Sequence, residues 1–250
     1  MKKLKLFIQL LLITALLFAV ATACDKTDDT DEDFSSTGTV KDADGNKYNT
    51  VKIGTQVWMV ENLKTDKYND GTPIPKVSDK NAWIELSTGA FCNYDNLESN
   101  ADTYGCLYNW HAVSTGKLAP KGWHVPTNDD WVILENYLIS NGYSCKDVLN
   151  GNAVAKALCA KTHWVVSTNA GTPGADSENN NSAGFSALPG GLRDCYNGSF
   201  TSIGKYGFWW SSTENGDDNA YLRRLGSYDE ALYRYSYYKE SGFSVRLVKD

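Results

Sequence analysis

PTNDDWVILENYLISNG, residues 126–142, is the stretch that commits the chain to a long regular element, and the fold is read outward from it. Thr127 carries a short hydroxyl side chain that can accept from the N–H groups left orphaned at a helix start. Asp129 and Asp130 stand in the first turn, where the positive end of the helix dipole favours carboxylates. Trp131, Leu134 and Leu138 recur at helical spacing, and Val132 and Ile133 widen the apolar face. Gly142 supplies a stop. The spacing predicts a helix over 127–140. A second, shorter helix is expected over Val148 to Ala160.

Upstream, residues 39–63 predict strands: Thr39–Val40 running into Tyr48–Ile53, then Gln56–Glu61. Asp44-Gly45 and Gly54-Thr55 provide the turns. Asp42, Asp44 and Asn46 alternate as ligands do in calcium loops. Ile53, however, stands where such a loop needs its twelfth-position glutamate, so the segment reads as a hairpin turn and no metal site is assigned. Downstream, residues 167–183 are rich in Ser, Asn and Gly and read as a long loop. Short strands are expected at Gly184–Ala187, Gly207–Ser211, Ala220–Leu225, Ala231–Tyr237 and Gly242–Val248. There is no internal repeat and no sign of a second domain.

Four motifs lie along this frame: YGCLYNWHAV at 104–113, GWHVPTNDDW at 122–131, GFSALPGGLRD at 184–194, and WWSST at 209–213 with GFSVRLVKD at 242–250. In this order they resemble the Fibrobacter succinogenes major paralogous domain family over essentially all of 39–250. The Pro-Thr helix entry, the Trp-rich strand and the Gly-Phe-x-Val-Arg ending also resemble, more distantly, the C-type-lectin-like fold that includes the sulfatase-modifying factors. The resemblance implies an α+β domain: a few helices, a twisted antiparallel sheet and long irregular loops. It also implies that relatives carry cysteines where this chain has Ala119 and Leu247, as though one disulfide were missing here.

The physical reading of the motif residues is mainly structural. Trp110, Trp123, Trp131, Trp209 and Trp210 are large apolar bodies, each with one N–H that needs an acceptor. Pro126 and His124 belong to the helix entry. Gly190 permits close backbone approach. Arg193 and Arg246 stand in apolar surroundings and need carboxylate or carbonyl partners if buried.

The N-terminus reads as an address. Lys2, Lys3 and Lys5 precede an apolar run from Leu6 to Val20, which ends in Ala21-Thr22-Ala23 before Cys24. That is a lipoprotein signal-peptide layout over residues 1–23. Cys24 is the expected lipidation site, and its acyl chains would make the lipid bilayer a partner. Cleavage near Ala23 with free secretion is the alternative. Loss of the leader removes three lysines and takes the formal charge from −6 to −9, which disfavours nucleic acid as a partner. Residues 25–38, DKTDDTDEDFSSTG, are too polar to bury a core and read as an acidic tether. The globular domain is expected over 39–250, at the outer membrane or cell surface. Five further cysteines make disulfides permissible in that compartment. Cys92/Cys106 and Cys145/Cys159 are the local pairings, though spacing alone does not fix them.

Chemistry is harder to find. Ser211 and Ser212 lie outside any GxSxG elbow, and His111, His124 and His163 are scattered. The sulfatase modifiers use a cysteine pair near the C-terminus; only Cys195 stands in that region here, so that activity is not carried over. The EPN and QPD triplets of calcium-dependent sugar-binding lectins are missing too. No cofactor is expected. The segment Tyr221 to Tyr238 is the candidate recognition surface, with Tyr221, Arg223, Tyr228, Tyr233, Arg234 and Tyr235 as ligand-contacting candidates. Within it, alternation puts Tyr233, Tyr235 and Tyr237 on one face of a strand. The other reading of that face is aromatic core. The functional expectation is a surface binding module for a polysaccharide, glycoprotein or envelope partner. The alternatives are an enzyme acting on envelope or dietary polymers and a purely structural, adhesin-like component.

Overall fold

The computed structural model of the chain describes residues 36–145 and 152–250. The leader, Cys24, nearly all of the tether and the start of the second expected helix lie outside them. Two five-stranded sheets and one two-stranded ribbon form among these residues. The first sheet contains β1 (Ser36–Lys41), β2 (Lys47–Ile53), β3 (Gln56–Met59), β6 (Trp123–His124) and β12 (Val248–Lys249), in the order β1-β2-β3-β12-β6, all antiparallel. β1 begins at Ser36, three residues before the expected start of the domain. The second sheet contains β7 (Gly190–Arg193), β8 (Phe200–Ile203), β9 (Tyr206–Glu214), β10 (Asn219–Gly226) and β11 (Tyr233–Tyr238), in the order β11-β10-β9-β7-β8. Its one parallel contact joins Gly191 to Gly207. β4 (Phe91–Cys92) and β5 (Leu107–Tyr108) make the ribbon. Five short or medium helices complete a mixed α+β domain that is mainly β: α1 (Lys80–Ile84), α2 (Glu98–Tyr104), α3 (Trp110–Ser114), α4 (Asn128–Ser140) and α5 (Ala155–Leu158).

Helix α4 forms where its sequence signals place it. The Thr127 hydroxyl accepts from the Asp130 N–H at 3.1 Å, and the Asp130 carboxylate accepts from the Thr127 N–H at 2.8 Å, a reciprocal capping box. Trp131, Leu134 and Leu138 point into a core shared with Val51, Ile53 and Trp58 from the first sheet and Trp209 and Leu225 from the second. The helix therefore seals one side of the junction between the sheets. Trp58 and Trp131 lie 4.9 Å apart, centroid to centroid, with Phe185 against both.

β9 divides its two tryptophans between two cores. Successive strand side chains point to opposite faces, so Trp209 enters the α4 core while Trp210 enters a second core with Tyr108, Leu222, Phe243 and Val245. The indole N–H groups find acceptors: Trp209 on Asn62 Oδ1 at 2.8 Å, Trp210 on the Tyr108 carbonyl at 2.9 Å and Trp110 on the Ser211 carbonyl at 2.9 Å. The Trp131 N–H has none. Gly207 is required by the same packing: a Cβ there would stand 2.2 Å from the Trp209 ring and 2.7 Å from the Leu188 carbonyl oxygen.

Several expectations need correction. Residues 242–248 do not form one strand beside 207–211. Their backbone spends its bonds on a succession of partners, and all seven residues are buried. Gly242 pairs with Arg193, Phe243 with Tyr108 and Ser244 with Trp209; Val248 then enters the first sheet between Trp58 and His124. Along the way the Val245 carbonyl accepts from Leu63 N–H at 2.8 Å and the Leu247 carbonyl from Met59 N–H at 2.9 Å. Residues 184–187 are not a strand either, because Ser186 is left-handed (φ 57°) and is pinned there by Asn181. The second helix shrinks to α5 among the described residues. Neither local disulfide is formed: Cys92, Cys106 and Cys159 are free, buried thiols. In the ribbon Cys92 sits opposite Leu107 and packs with Trp83 and Tyr94, whereas Cys106 packs in the Trp210 core. Burial pushes both thiols up to about 12, which keeps them protonated and unreactive.

Candidate functional site

The tyrosine-rich segment forms the outer edge of the second sheet, and register sorts its side chains. Directly opposed residues share a face of an antiparallel pair. Leu222 opposes Tyr235, Arg224 opposes Tyr233 and Ala220 opposes Tyr237. This face carries a shallow cavity of about 230 Å³ lined by Leu192, Phe208, Leu222, Arg224, Tyr235, Tyr237 and Phe243. Leu222 and Phe243 are its buried floor, continuous with the Trp210 core. Tyr235, 43% exposed, forms part of its wall.

Arg224 is the organising group. Its guanidinium lies 4.8 Å from the Tyr206 ring, 5.1 Å from Tyr233 and 4.8 Å from Tyr235. Cation–π contacts with three rings hold it flat against the trough wall. Nη2 donates to Asp229 Oδ2 at 2.8 Å, while Nε is buried without an acceptor. A fixed donor–acceptor pair therefore stands at one end of an aromatic trough.

The opposite face holds a different set. Arg223 opposes Arg234, and Tyr221 opposes Ser236. Arg223 is 1% exposed and donates to Asn128 at the start of α4, to Oδ1 at 3.2 Å and the carbonyl at 3.4 Å. It is thus no surface contact, and the expectation that it touches ligand is corrected. Arg234 is exposed over the Tyr221 ring at 5.4 Å. Tyr228 is exposed in the turn between β10 and β11 and does not line the trough. Of the six candidates, Tyr233 and Tyr235 are brought together, Tyr221, Arg223 and Arg234 face away from them, and Arg224, an arginine of the same segment that is not among the six, takes the central place.

The motif residues lie deeper. Trp131, Trp209 and Trp210 are fully buried, Trp110 nearly so, and Trp123 is partly buried on edge strand β6. Pro126 is buried ahead of α4, and its carbonyl accepts from Ser212 N–H at 2.8 Å. Gly190 is buried in β7, where an added Cβ would stand 3.4 Å from Tyr104 Cβ and Ser244 Oγ. Arg193 is fully buried and donates to the carbonyls of Gly198, Val77 and Ser78 at 3.1, 2.6 and 2.8 Å, with the Trp83 ring 4.5 Å away. Arg246, also fully buried, donates to Asn62 Oδ1 and to the carbonyls of Phe185 and Ser186, over the Phe185 ring. Both arginines use neutral oxygens in place of carboxylates. His124 bridges Asp250 Oδ1 at 2.7 Å and Asp130 Oδ2 at 3.1 Å. His111 faces Glu240 and His163 faces Tyr104.

The fold and this surface define an α+β domain with an aromatic trough along the edge of one sheet and a tryptophan–arginine interior. The sequence matches the Fibrobacter succinogenes major domain (Fib_succ_major) over residues 51–249, and the chain belongs to that family. Comparison with curated proteins found no match, and neither did comparison with solved structures. Among the described residues no helix is long and apolar enough to cross a membrane.

Proposed function

We propose that the domain is a non-catalytic binding module, carried outside the cytoplasm on a lipidated Cys24, that takes a glycan strand in the trough along β9, β10 and β11. The observation that carries this reading is Arg224 held among three tyrosine rings and paired with Asp229. A sugar ring has an apolar C–H face that packs on aromatic side chains and a hydroxyl edge that needs both donors and acceptors. The trough offers Tyr235 and Tyr237 for the first, and Arg224 with Asp229 for the second. Its volume lies below that of a pocket that engulfs a small molecule, which suits a strand lying across a surface. The lipoprotein leader supports placement at the outer membrane or cell surface. The capped helix and the Trp-rich strand support a C-type-lectin-like fold, while the C-terminal strand that fold would place beside 207–211 is not formed.

The test is a glycan array probed with the mature protein, followed by titration calorimetry on the best oligosaccharide. Tyr235→Ala should weaken binding by about tenfold, as loss of an aromatic anchor does, while Tyr228→Ala should bind as the parent does. An oligosaccharide bound equally well by Tyr235→Ala would move the site elsewhere, and a blank array would remove the glycan reading. Mass spectrometry of the N-terminus should find acylated Cys24; an unmodified N-terminus would refute the anchor.

A further inference from the structure

The two five-stranded sheets end in β1 and β6, and in β8 and β11. Short strands, bulges, charges and prolines keep such edges from pairing with other chains. β1 shifts register against β2 between Ser36 and Gly38, whose φ is 134°. β6 is two residues long. β8 has four residues, one of them the left-handed Ser202 (φ 72°). β11 carries only one of these devices, the charge of Arg234. It runs for six residues, YRYSYY, without proline and in unbroken register with β10. Among the described residues no strand lies beyond it, and Arg234, Tyr235 and Ser236 are exposed.

The ladder shows which backbone groups this edge leaves open. Lys239 N–H donates to the Asp218 carbonyl at 3.0 Å, one step beyond the Asn219–Tyr238 pair. Hydrogen-bonded and non-bonded pairs alternate in an antiparallel ladder. Tyr233, Tyr235 and Tyr237 therefore turn their N–H and C=O groups to β10, and Arg234, Ser236 and Tyr238 turn theirs outward. The Tyr238 carbonyl accepts from Ser241 N–H at 3.0 Å; the other outward groups have no backbone partner among the described residues.

We propose that β11 pairs with β11 of a second copy of this chain, antiparallel, about a two-fold axis at Ser236. A two-fold contact must be its own complement, and the side chains select the register. With the axis at Ser236 the two serines oppose each other, Arg234 opposes the partner's Tyr238, and Tyr235 opposes the partner's Tyr237. A guanidinium then meets a ring, and two rings meet each other, both favourable cross-strand pairs. An axis at Arg234 would set two guanidiniums face to face. An axis one residue to either side of Ser236 would carry one end past the partner strand. The pairing joins the two sheets into one and leaves both faces open. It does not rest on the glycan reading, and the trough stays accessible.

The experiment is sedimentation velocity on the mature chain with Cys24→Ser, which keeps lipid out of the assay, over a concentration series reaching about 1 mM, the weak end of the affinity scale. A monomer–dimer equilibrium is expected. Ser236→Pro should weaken the dimer at least about tenfold, because it removes an N–H donor from each side of the axis. Its melting temperature should match the parent's, since that N–H has no part in the β10 ladder. Ser236→Cys should form a disulfide between two chains on mild oxidation, because the opposed Cα atoms stand about 5.5 Å apart, within reach of the bond. Arg234→Cys should not, because Arg234 of the partner subunit lies at the far end of the pairing. The parent chain, whose thiols Cys92, Cys106, Cys159 and Cys195 are buried, should stay uncrosslinked. The proposal is overturned if the chain remains a monomer throughout, if Ser236→Pro dimerises as tightly as the parent, or if Ser236→Cys crosslinks no more readily than Arg234→Cys. Should Ser236→Pro fail to fold, the two cysteine variants decide. A monomer would leave the glycan reading untouched.

Discussion

At the scale of single residues, the interior turns on Asn62. Its Oδ1 receives the Trp209 indole at 2.8 Å and Arg246 Nη2 at 3.0 Å, and its Nδ2 donates to the Tyr104 carbonyl at 2.8 Å. A buried guanidinium is tolerated only while its donors are satisfied. Asn62→Leu should therefore lower stability by about 3 kcal/mol or more, read as a shift in the urea midpoint at unchanged slope; a loss below about 1 kcal/mol would contradict this role. His124 makes a prediction of opposite visibility. Burial alone would lower its pKa, but the hydrogen bonds to Asp250 and Asp130 outweigh it and raise the value above 6.5. Its folded-state value thus exceeds its unfolded one. The stabilisation is complete below about pH 6.5 and is lost as pH rises through the folded value. Relative to His124→Gln, the melting temperature of the parent should fall between about pH 6 and about pH 8. Parallel profiles for the two proteins would count against the bridge. Sequence pattern made Arg246 conspicuous because an arginine in GFSVRLV stands among apolar neighbours. Asn62 gave no such signal, since its polar neighbours in VENLK read as loop.

At the scale of elements, legibility followed locality. Helix α4 was readable because its cap, its first-turn acids and its apolar spacing all act within a few residues of one another. β9 and β10 were readable as apolar runs. β7 was not, because Gly190 and Gly191 have weak strand preference and the strand exists through partners far along the chain. The trough shows the same division. Alternation correctly grouped Tyr233, Tyr235 and Tyr237, yet Arg223 was chosen over Arg224, because one strand's alternation does not reveal its register with the next. Only the pairing of Tyr233 with Arg224 decides it. The family pattern adds a prediction here. Ala119 and Leu247 are both buried in the Trp210 core, so Ala119→Cys with Leu247→Cys should form a disulfide on air oxidation. The oxidised form should be more stable than the reduced form of the same variant by about 2–4 kcal/mol, with the bond located by peptide mass. Persistent free thiols at both positions would show that the side chains do not meet.

At the scale of the whole molecule, residues 242–249 are the keystone. They touch β7, β5, β9, β3 and β6 in turn, so both sheets and the ribbon depend on them. A chain stopped after Ser241 should lack a cooperative thermal transition and bind a hydrophobic dye, whereas the full chain should melt sharply; a truncated form that melted cooperatively would show that the sheets close without this segment. The segment also sets when the domain can exist. Contacts between residues distant in sequence must wait for loop closure, which slows folding, and here the closing piece is made late. On the export reading, the leader can engage a membrane channel while the rest of the chain is still being synthesised. A domain whose interior cannot shut until residue 248 has been made stays threadable throughout that interval. If the chain is exported as its leader suggests, the place of GFSVRLV in the order of synthesis would act as a timer, deferring folding through the chain's own topology.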